Sequence, residues 1–407
     1  MKKRLRIISI LLVLIMSISL FSGCAEIEKI FNQIFNPATD PAEPPEEPPL
    51  VLAEDELSFH FMMLGNDYAG DSTFIKAGEI DILIDAGSRV NSVPYIDDYI
   101  DDYVTDGKLE YVIVTHSDQD HIDGFVRTSK QASIFDLYEC ETIIDFNLTN
   151  KSLTTASDNP TLYAKYLANR DEEISKGAKH YTALDCYKNQ NGAQRVFELS
   201  DSISMEILYN YYYDHTASDE NDYSVCVLFR HGSKAFLFTG DLEESGEQYL
   251  VEYNTLPEVE LFKAGHHGSP TSSNDCLLSV IKPKISVACC CAGSVEYTDN
   301  LANTFPSQAY IDRIAPYTDK VYVPVYIDII DNPEYVEGSK KSKYKNSGEY
   351  KQLNGNVVVI SPADTKDEFD NVIQSAVTVT GSNNSNKLKD TDWFKTYRTM
   401  PTAWQNS

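Results

Sequence analysis

The sequence THSDQDHIDG, residues 115–124, directly follows Tyr111–Val114, an apolar run with the length and composition of a short buried strand. Four potential metal ligands occur here within six residues: His116, Asp118, Asp120 and His121. Imidazole and carboxylate groups are the ligands that hard and borderline divalent ions prefer. Neither packing in a core nor exposure in a solvated loop explains why His, Asp, Asp and His occur together at this spacing. The segment therefore predicts a metal site at the end of a strand.

Five further segments lie on either side of this motif. They combine apolar strand-like runs with turns that carry Asp, Asn or His, and are Phe59–Ser72, Ile82–Gly87 (ILIDAG), Asn221–Val225 (NDYSV), Leu237–Asp241 (LFTGD) and Lys263–Ser269 (KAGHHGS). In this order they resemble the motifs of the metallo-β-lactamase superfamily, whose usual metal motif is HxHxDH. Asp118 stands where most members have a second His. That variant, followed by Gly124, is similar to the extracellular domain of the ComEC-type competence proteins and their free-standing relatives.

The resemblance implies a fold and its extent. It implies an α/β fold, the αββα sandwich, in which two mixed sheets pack between outer helices, over residues 57–380. Irregular polar patterning over residues 130–200 predicts an insertion, partly helical around Thr161–Ser175. The Gly-Ser-Asn run that begins residues 381–407 predicts a loose tail.

The resemblance also implies a centre with two divalent metal ions. The ligands it implies are His116 and Asp118 for one ion, Asp120, His121 and His266 for the other, and Asp241 as the bridge. Zinc is the default, and manganese is the alternative because Asp118 replaces a neutral imidazole with an anion. Asp120 and Asp85 are expected to be catalytic, Asp85 by orienting a ligand histidine from outside the centre.

The two histidines of KAGHHGS require a choice between them. Alternate side chains of an extended loop point to opposite faces, so His266 and His267 are not both expected to point at the metals. We expect His266 to be the ligand, because it directly follows the strand and Gly265. The remaining polar residues of these motifs are expected to face substrate or to brace the loops: His267, Ser269, Ser224 and Asn221.

One departure from the family bears on activity. ComEC-type sequences usually have a His-Pro pair later in the chain, and the matching place here reads Thr304-Phe305-Pro306. A group that could donate a proton or touch phosphate is therefore missing from that place. The resemblance implies a metal-dependent hydrolase of a phosphodiester or related ester. The alternative is a surface binding protein that keeps the fold and has lost turnover.

The charge of the chain limits its partners. Lys and Arg number 34 and Asp and Glu 62, which gives a formal net charge of −28. Proteins that bind duplex DNA tightly carry basic patches that neutralise phosphates. The composition therefore argues against tight duplex DNA binding and favours a small phosphate ester or nucleotide-type substrate.

The N-terminus has the pattern of an export signal. Four basic residues within the first six precede the apolar run Ile7–Phe21 and the small residues Ser22-Gly23. Leu20–Cys24 resembles a bacterial lipobox, which implies that residues 1–24 are a lipoprotein signal peptide and that Cys24 is lipidated. Residues 25–56, rich in Pro and Glu, predict an extended tether. We therefore expect an exported protein that a lipid anchors to the cell membrane.

Overall fold

A computed structural model describes residues 55–405, except residues 67, 295, 299, 328–333, 336–343, 346–349 and 382–385. The predicted signal peptide, the lipidation site Cys24 and nearly all of the predicted tether lie outside the described residues. No helix in the described part of the chain has the length and apolar character that crossing a membrane requires.

The strands follow the alternation of apolar residues along the chain. In chain order they are β1 (Leu57–Phe61), β2 (Thr73–Ala77), β3 (Ile80–Ile84), β4 (Lys108–Val114), β5 (Glu139–Asp145), β6 (Lys179–Thr182), β7 (Val196–Glu198), β8 (Ile203–Ile207), β9 (Val227–His231), β10 (Lys234–Phe238), β11 (Leu261–Lys263), β12 (Ile285–Val287), β13 (Cys291–Ala292), β14 (Val321–Tyr322), β15 (Val325–Ile327), β16 (Glu334–Tyr335), β17 (Tyr344–Lys345), β18 (Tyr350–Gln352), β19 (Val357–Ser361), β20 (Thr365–Lys366), β21 (Val372–Ile373) and β22 (Thr378–Gly381).

The helices are short apart from one. They are α1 (Val93–Ile100), α2 (Gln119–Ile122), α3 (Ile134–Leu137), α4 (Leu162–Lys176), α5 (Ala183–Lys188), α6 (Glu244–Tyr253), α7 (Asp275–Ile281), α8 (Gln308–Ile314) and α9 (Asp392–Tyr397). Single 3₁₀ turns occupy Val90–Ser92, Asp123–Phe125, Tyr211–Tyr213, Asn221–Tyr223, Gly265–Gly268, Leu301–Asn303, Leu388–Asp390 and Thr402–Trp404. The longest, α4, begins at an N-cap, because the Thr161 hydroxyl accepts the Ala164 N–H, and it ends at Gly177.

Two mixed sheets form the framework. The first has the strand order β22-β19-β1-β2-β3-β4-β5-β6, and the second has the order β14-β12-β11-β10-β9-β8-β7. In each sheet, strands from one side pair antiparallel and those towards the other pair parallel, as β3 does with β4 and β10 with β11. The sheets and the helices together form an α/β sandwich, which confirms the predicted fold class.

Phenylalanines join the two sheets face to face. Phe59 of β1 packs its ring 4.8 Å from that of Phe236 on β10 and 5.5 Å from that of Phe229 on β9. All three side chains are fully buried, and burying one such side chain contributes about 1.5–3 kcal/mol. On the other face of β1, His60 accepts or donates a 2.6 Å hydrogen bond with Tyr99 of α1. Helix α1 thereby covers the outside of the first sheet.

The C-terminal segment is not a loose tail, so that part of the sequence prediction is wrong. Trp393, Phe394 and Trp404 are buried in the apolar cluster on the outer side of the second sheet, with Tyr310 and Ile314 of α8. The Trp404 indole N–H also donates to the carbonyl of Thr318. Three large aromatic side chains therefore hold the segment in place, while the Gly-Ser-Asn residues 382–385 lie outside the described part.

The range 130–200 does more than form an insertion. It contains the predicted helix, as α4, but it also supplies β5 and β6 to the first sheet and β7 to the second. Strand β5 pairs parallel with β4, and Ile143 and Ile144 are fully buried. Polar residues around these short strands obscure their pattern in the sequence.

The parallel strands all end at one edge of the sandwich. Asp85 follows β3, Thr115 and His116 follow β4, Asp241 lies three residues beyond β10, and the paired histidines come shortly after β11. Because parallel strands present their carboxyl ends at the same edge, segments far apart in sequence converge there. The candidate site lies at this edge.

Candidate metal centre

A carboxylate beneath the site fixes the orientation of His121. Asp85, which has a φ of +58°, accepts hydrogen bonds from the Thr115 N–H at 2.8 Å and the Thr115 hydroxyl at 2.7 Å. It also lies 2.8 Å from Nδ1 of His121, and because a carboxylate only accepts, Nδ1 carries the proton. With Nδ1 held by Asp85, His121 Nε2 faces Asp241 Oδ2, 3.1 Å away. Asp85 lies where it orients a histidine and does not face the pocket.

Close backbone packing makes this arrangement possible. A Cβ at Gly87, in the turn after β3, would lie 1.7 Å from the carbonyl oxygen of Asp120. That same carbonyl accepts the backbone N–H of Asp71 at 3.0 Å. The three segments can therefore meet only because residue 87 has no side chain.

The loop after β11 is not extended, which corrects the premise behind the choice of His266. His266 and His267 have φ values of +49° and +57°, in a 3₁₀ turn. His267 is fully buried, and its Nδ1–H donates to the carbonyl of Cys289 at 2.9 Å. Its Nε2 then faces Asp241 Oδ2 at 3.2 Å and Asp120 Oδ2 at 3.4 Å. His267 therefore lies in the inner position.

His266 lies farther out, on the wall of the pocket. Its Nε2 is 4.0 Å from Asp241 Oδ2, and its side chain is 21% exposed. The other ring nitrogen, Nδ1, lies 3.2 Å from the Thr271 hydroxyl and 3.6 Å from Glu243. The left-handed turn thus allows both imidazoles to approach Asp241, with His267 nearer.

His116 and Asp118 differ in how deeply they lie. His116 is fully buried, with its ring centroid 4.1 Å from that of His121. The Asp118 carboxylate, 28% exposed, lies 3.6 Å from His116 Nε2 and forms an ion pair with Lys151. Burial opposes its ionisation, but His116 and Lys151 outweigh that effect and lower the pKa of Asp118 to about 2. Asp118 therefore lies at the rim of the site, bound to a lysine from the chain between β5 and α4.

Unpartnered ligand atoms mark the centre. In the described structure, His116 Nε2, His267 Nε2 and Asp241 Oδ1 are buried and have no hydrogen-bond partner. Ligand atoms of His116, His121 and Asp241 lie within 4.8 Å of one another, as do those of Asp120, His121 and His267. A buried polar atom without a partner costs free energy, and an imidazole nitrogen beside a carboxylate is the donor set that zinc takes. The residues present therefore fit a divalent metal centre.

Two charged residues of the centre carried no role in the sequence-based prediction. Lys263, the last residue of β11, is 3% exposed, forms an ion pair with Asp71 and lies 3.5 Å from Asp241 Oδ1. Asp71 also lies 3.3 Å from His267 Nδ1. Both belong to motifs noted in the sequence, KAGHHGS and the turn before β2. The position of a lysine at the end of an apolar strand is the sequence signal that could have indicated its burial.

The centre concentrates negative charge. Four buried carboxylates, those of Asp71, Asp85, Asp120 and Asp241, surround two imidazoles and the ammonium group of Lys263. Burial lowers the pKa of His121, but Asp241 and Asp85 outweigh it and raise that pKa well above its usual value. The same balance, with Asp241 and Asp71 as the main carboxylates, raises the pKa of His267. The carboxylates therefore favour positive charge on both imidazoles.

Tyr297 and Phe305 form one wall of the opening. The Tyr297 hydroxyl donates to Asp120 Oδ2 at 2.7 Å, although the side chain is 51% exposed. Phe305 packs its ring 5.6 Å from that of Tyr297 and 6.0 Å from that of His267. The sequence analysis did not single out Tyr297. Its phenol is the hydrogen-bonding group beside Phe305, the position at which related sequences usually have a histidine.

A pocket of about 260 Å³, here called the central pocket, opens above these groups. Its lining residues are Arg89, Asp118, Gln119, Asp120, Asn221, Asp241, His266, Glu296 and Tyr297. Arg89 pairs with Glu296 and lies over the ring of Tyr68, 4.3 Å from its centroid. The pocket thus places an exposed, charged opening directly over the buried ligand atoms.

The predicted substrate-facing residues divide into two groups. Asn221 lines the central pocket, with Nδ2 3.4 Å from both Glu243 and His266. Ser224 is instead fully buried and accepts the Asp241 N–H at 3.0 Å, and Ser269 is buried and bonded to Thr271. Those two serines brace the loops because their hydroxyls are used within the protein. The expectation that they face substrate does not match their burial.

Comparison with known families agrees with this geometry. A family model for the metallo-beta-lactamase superfamily matches residues 217–292, which include Asn221, Asp241 and both histidines of KAGHHGS. The sandwich, the site at its edge and this match together make the chain a metallo-β-lactamase-fold protein.

The chain is also similar to three curated competence and recombination proteins. Recombination protein 2 of Haemophilus influenzae is 35% identical over 68 residues, 17% of this chain and 8% of that protein. Competence protein ComA of Neisseria gonorrhoeae is 38% identical over 106 residues, 25% of this chain and 14% of that protein. ComE operon protein 3 of Bacillus subtilis is 31% identical over 72 residues, 17% and 9% of the two chains. Over these segments the chain is similar to competence and recombination proteins, and each match spans at most 14% of the relative's own length.

Solved structures with a similar fold include YhfI from Bacillus subtilis and the short form of human tRNase Z. YhfI is 13% identical, with 52% of this chain and 71% of that chain covered, at a TM-score of 0.30. The tRNase Z is 11% identical, with 57% and 91% covered, at a TM-score of 0.29. At these scores the similarities support no statement about activity.

Proposed function

We propose that this protein is a hydrolase that depends on two divalent metal ions and cleaves a phosphodiester or a related phosphate ester. The observation that carries the proposal is the set of buried, unpartnered ligand atoms on His116, His267 and Asp241 beneath an open pocket. Such atoms are costly to bury unless a ligand completes their coordination. Their metallo-β-lactamase-type arrangement supports a hydrolytic role.

The ligand set we propose follows from the distances. His116, His121 and Asp241 would hold one ion, Asp120 and His267 the other, with Asp241 close enough to both histidine rings to bridge. Asp118 and His266 would complete the shells from the rim. Zinc suits these ligands, and manganese is the alternative. Bound ions of this kind polarise a phosphoryl oxygen and lower the pKa of a bound water.

The chain's own residues would prepare and orient the reaction. Asp85 keeps the proton of His121 on Nδ1, which leaves Nε2 as a ligand. The Tyr297 hydroxyl donates to Asp120 and would hold that carboxylate in position beside the central pocket. Arg89 and Asn221, which also line the central pocket, would present N–H groups to an anionic substrate. The volume of the central pocket suits a small ester better than a duplex. The net charge of −28 also favours a small ester, because it disfavours binding of a long polyanion.

We propose further that the protein acts outside the cytoplasm as a lipid-anchored lipoprotein. The basic start, the apolar run and Leu20–Cys24 support this location. Labelling with a fatty-acid probe in the source cells is expected to modify the wild-type chain and not Cys24→Ser. Equal labelling of both would contradict the anchor.

Hydrolysis of bis(p-nitrophenyl) phosphate by the purified chain, supplied with zinc or manganese, tests the catalytic proposal. Asp120→Ala is expected to abolish turnover, because it removes a carboxylate from between His267 and Tyr297. Asp98→Ala, on the exposed side of α1, is the control and is expected to retain activity. Equal activity of the Asp120→Ala and wild-type proteins would exclude a reaction at this site.

The second candidate function is binding without turnover. Phe305 packs against both His266 and His267, so a side chain that cannot transfer a proton occupies that wall. A chain that binds metal but hydrolyses no phosphodiester would favour this alternative.

A further inference from the structure

A second pocket lies beside the central pocket and shares a wall with it. This side pocket, of about 290 Å³, is lined by residues on either side of α4's start and by the loop after β4. Asp118 and Gln119 line both pockets. The two pockets are therefore neighbours, with Asp118 and Gln119 at their common border.

The chain between β5 and α4 is fastened to the metal-site loop. Glu220 is buried, and its carboxylate accepts the Ser117 hydroxyl at 2.5 Å, the Thr149 hydroxyl at 2.8 Å and the Asn150 N–H at 2.7 Å. The next residue, Lys151, pairs with Asp118. The side pocket is thus held in a fixed position relative to the candidate centre.

The linings of the two pockets differ in chemistry. The central pocket is lined mainly by charged side chains, whereas Leu162 and Tyr163 give the side pocket an aliphatic and an aromatic wall. Tyr163 is half-buried, with its ring 5.9 Å from that of Phe146, which supports it from one side. Ser152 and Thr161 add hydroxyl groups at the edge. An aromatic wall with polar groups at its edge suits a flat heterocyclic ring.

We propose that the side pocket binds the nucleoside of a nucleotide-type phosphate ester, with its base against Tyr163, while the phosphate lies in the central pocket. This inference rests on the proposed function for the position of the phosphate. It assigns to the chain between β5 and α4 the selection of the substrate's organic group.

Isothermal titration calorimetry with two phosphate monoesters tests the proposal. Thymidine 5′-monophosphate and methyl phosphate carry the same phosphate, and only the first carries a nucleoside. The zinc-supplied chain is expected to bind the thymidine ester roughly tenfold more tightly, as stacking of one base allows. In Tyr163→Leu, which keeps an apolar side chain but removes the aromatic ring, that preference is expected to disappear. Tyr253→Leu, an exposed tyrosine on α6, is the control and should retain it.

The outcomes separate this inference from the proposed function. Equal dissociation constants for the two esters in the wild-type chain would overturn the side-pocket proposal, with no variant needed. A preference that survives in Tyr163→Leu would also overturn it. A chain that shows the preference but does not hydrolyse bis(p-nitrophenyl) phosphate would support the pocket and contradict the catalytic proposal. A chain that hydrolyses bis(p-nitrophenyl) phosphate but binds both monoesters equally would support the catalytic proposal and contradict the side-pocket proposal.

Discussion

The inner cluster and the rim of the site are built in different ways. The inner cluster consists of His116, His121, His267 and Asp241, all fully buried or nearly so, at the ends of parallel strands. The rim consists of Asp118, His266 and Tyr297, which are partly exposed and depend on partners from distant loops. Neighbours in sequence, such as His266 and His267, fall on different sides of this division. Proximity in the motif therefore does not indicate equivalence of role.

The largest expected effect separates the two adjacent histidines. His267→Ala removes an inner ligand whose orientation the Cys289 carbonyl fixes, so we expect metal affinity and hydrolysis to fall by more than roughly 100-fold, beyond the loss typical of an outer partner. His266→Ala is the matched variant and is expected to lose less of both. Metal content by mass spectrometry and kcat/KM are the measurements. A greater loss in His266→Ala would reverse the assignment of inner and rim positions.

Asp85→Asn is expected to have the second-largest effect on metal binding. The amide has one acceptor oxygen, so it cannot accept from the Thr115 N–H, the Thr115 hydroxyl and His121 Nδ1 as the carboxylate does. Metal affinity should fall roughly 10–100-fold. Asp81→Asn, on strand β3 just before Asp85 and paired with Lys76, is the control. The role of Asp85 in orienting His121 would be refuted by unaltered affinity in a folded Asp85→Asn protein.

Tyr297→Phe tests the rim. The variant loses the hydrogen bond to Asp120, and a single hydrogen bond of this kind contributes about 0.5–1.5 kcal/mol. We expect kcat/KM to fall up to roughly tenfold while metal content remains that of the wild type. Tyr95→Phe, an exposed tyrosine on α1, is expected to change neither quantity. Loss of metal from Tyr297→Phe would place the phenol in the inner cluster instead.

Glu220→Gln is expected to have the smallest effect on chemistry. It weakens the acceptor that joins Ser117 to Thr149 and Asn150, so the rim around Lys151 should loosen. The cost is about 1 kcal/mol of folding stability, with metal content unchanged. Thermal unfolding and elemental analysis are the measurements, with the exposed pair residue Glu258→Gln as control. Metal loss equal to that of His267→Ala would show that the rim and the inner cluster are not separable.

Much of the framework was predictable because apolar periodicity is local. Strands β1, β3 and β10 overlap the segments in which the sequence shows strand-like runs, since each combines an apolar run with a clear turn. Strand β6 was not predictable, because its residues are only partly buried at the sheet edge and carry little apolar signal. The packing of Trp393 also depends on contacts distant in sequence, which no local pattern reports.

The site was predictable where it follows strand ends. The motif after β4 and the Asp after β10 lie together because parallel strands end at one edge. The inner position of His267 depended on a left-handed turn, which the sequence HH alone does not specify. The pairing of Lys263 with Asp71 and of Lys151 with Asp118 joins residues more than 30 positions apart. Such pairs follow from the folded arrangement, so the rim could not be read from the motif.

Metal titration of the purified chain, read by calorimetry and confirmed by mass spectrometry, tests the central claim most directly. We expect the wild-type chain to bind two zinc or manganese ions and Asp241→Asn to bind at most one, because Asp241 faces both His121 and His267. A wild-type chain that binds no divalent ion, or an Asp241→Asn chain that still binds two with unchanged affinity, would contradict it.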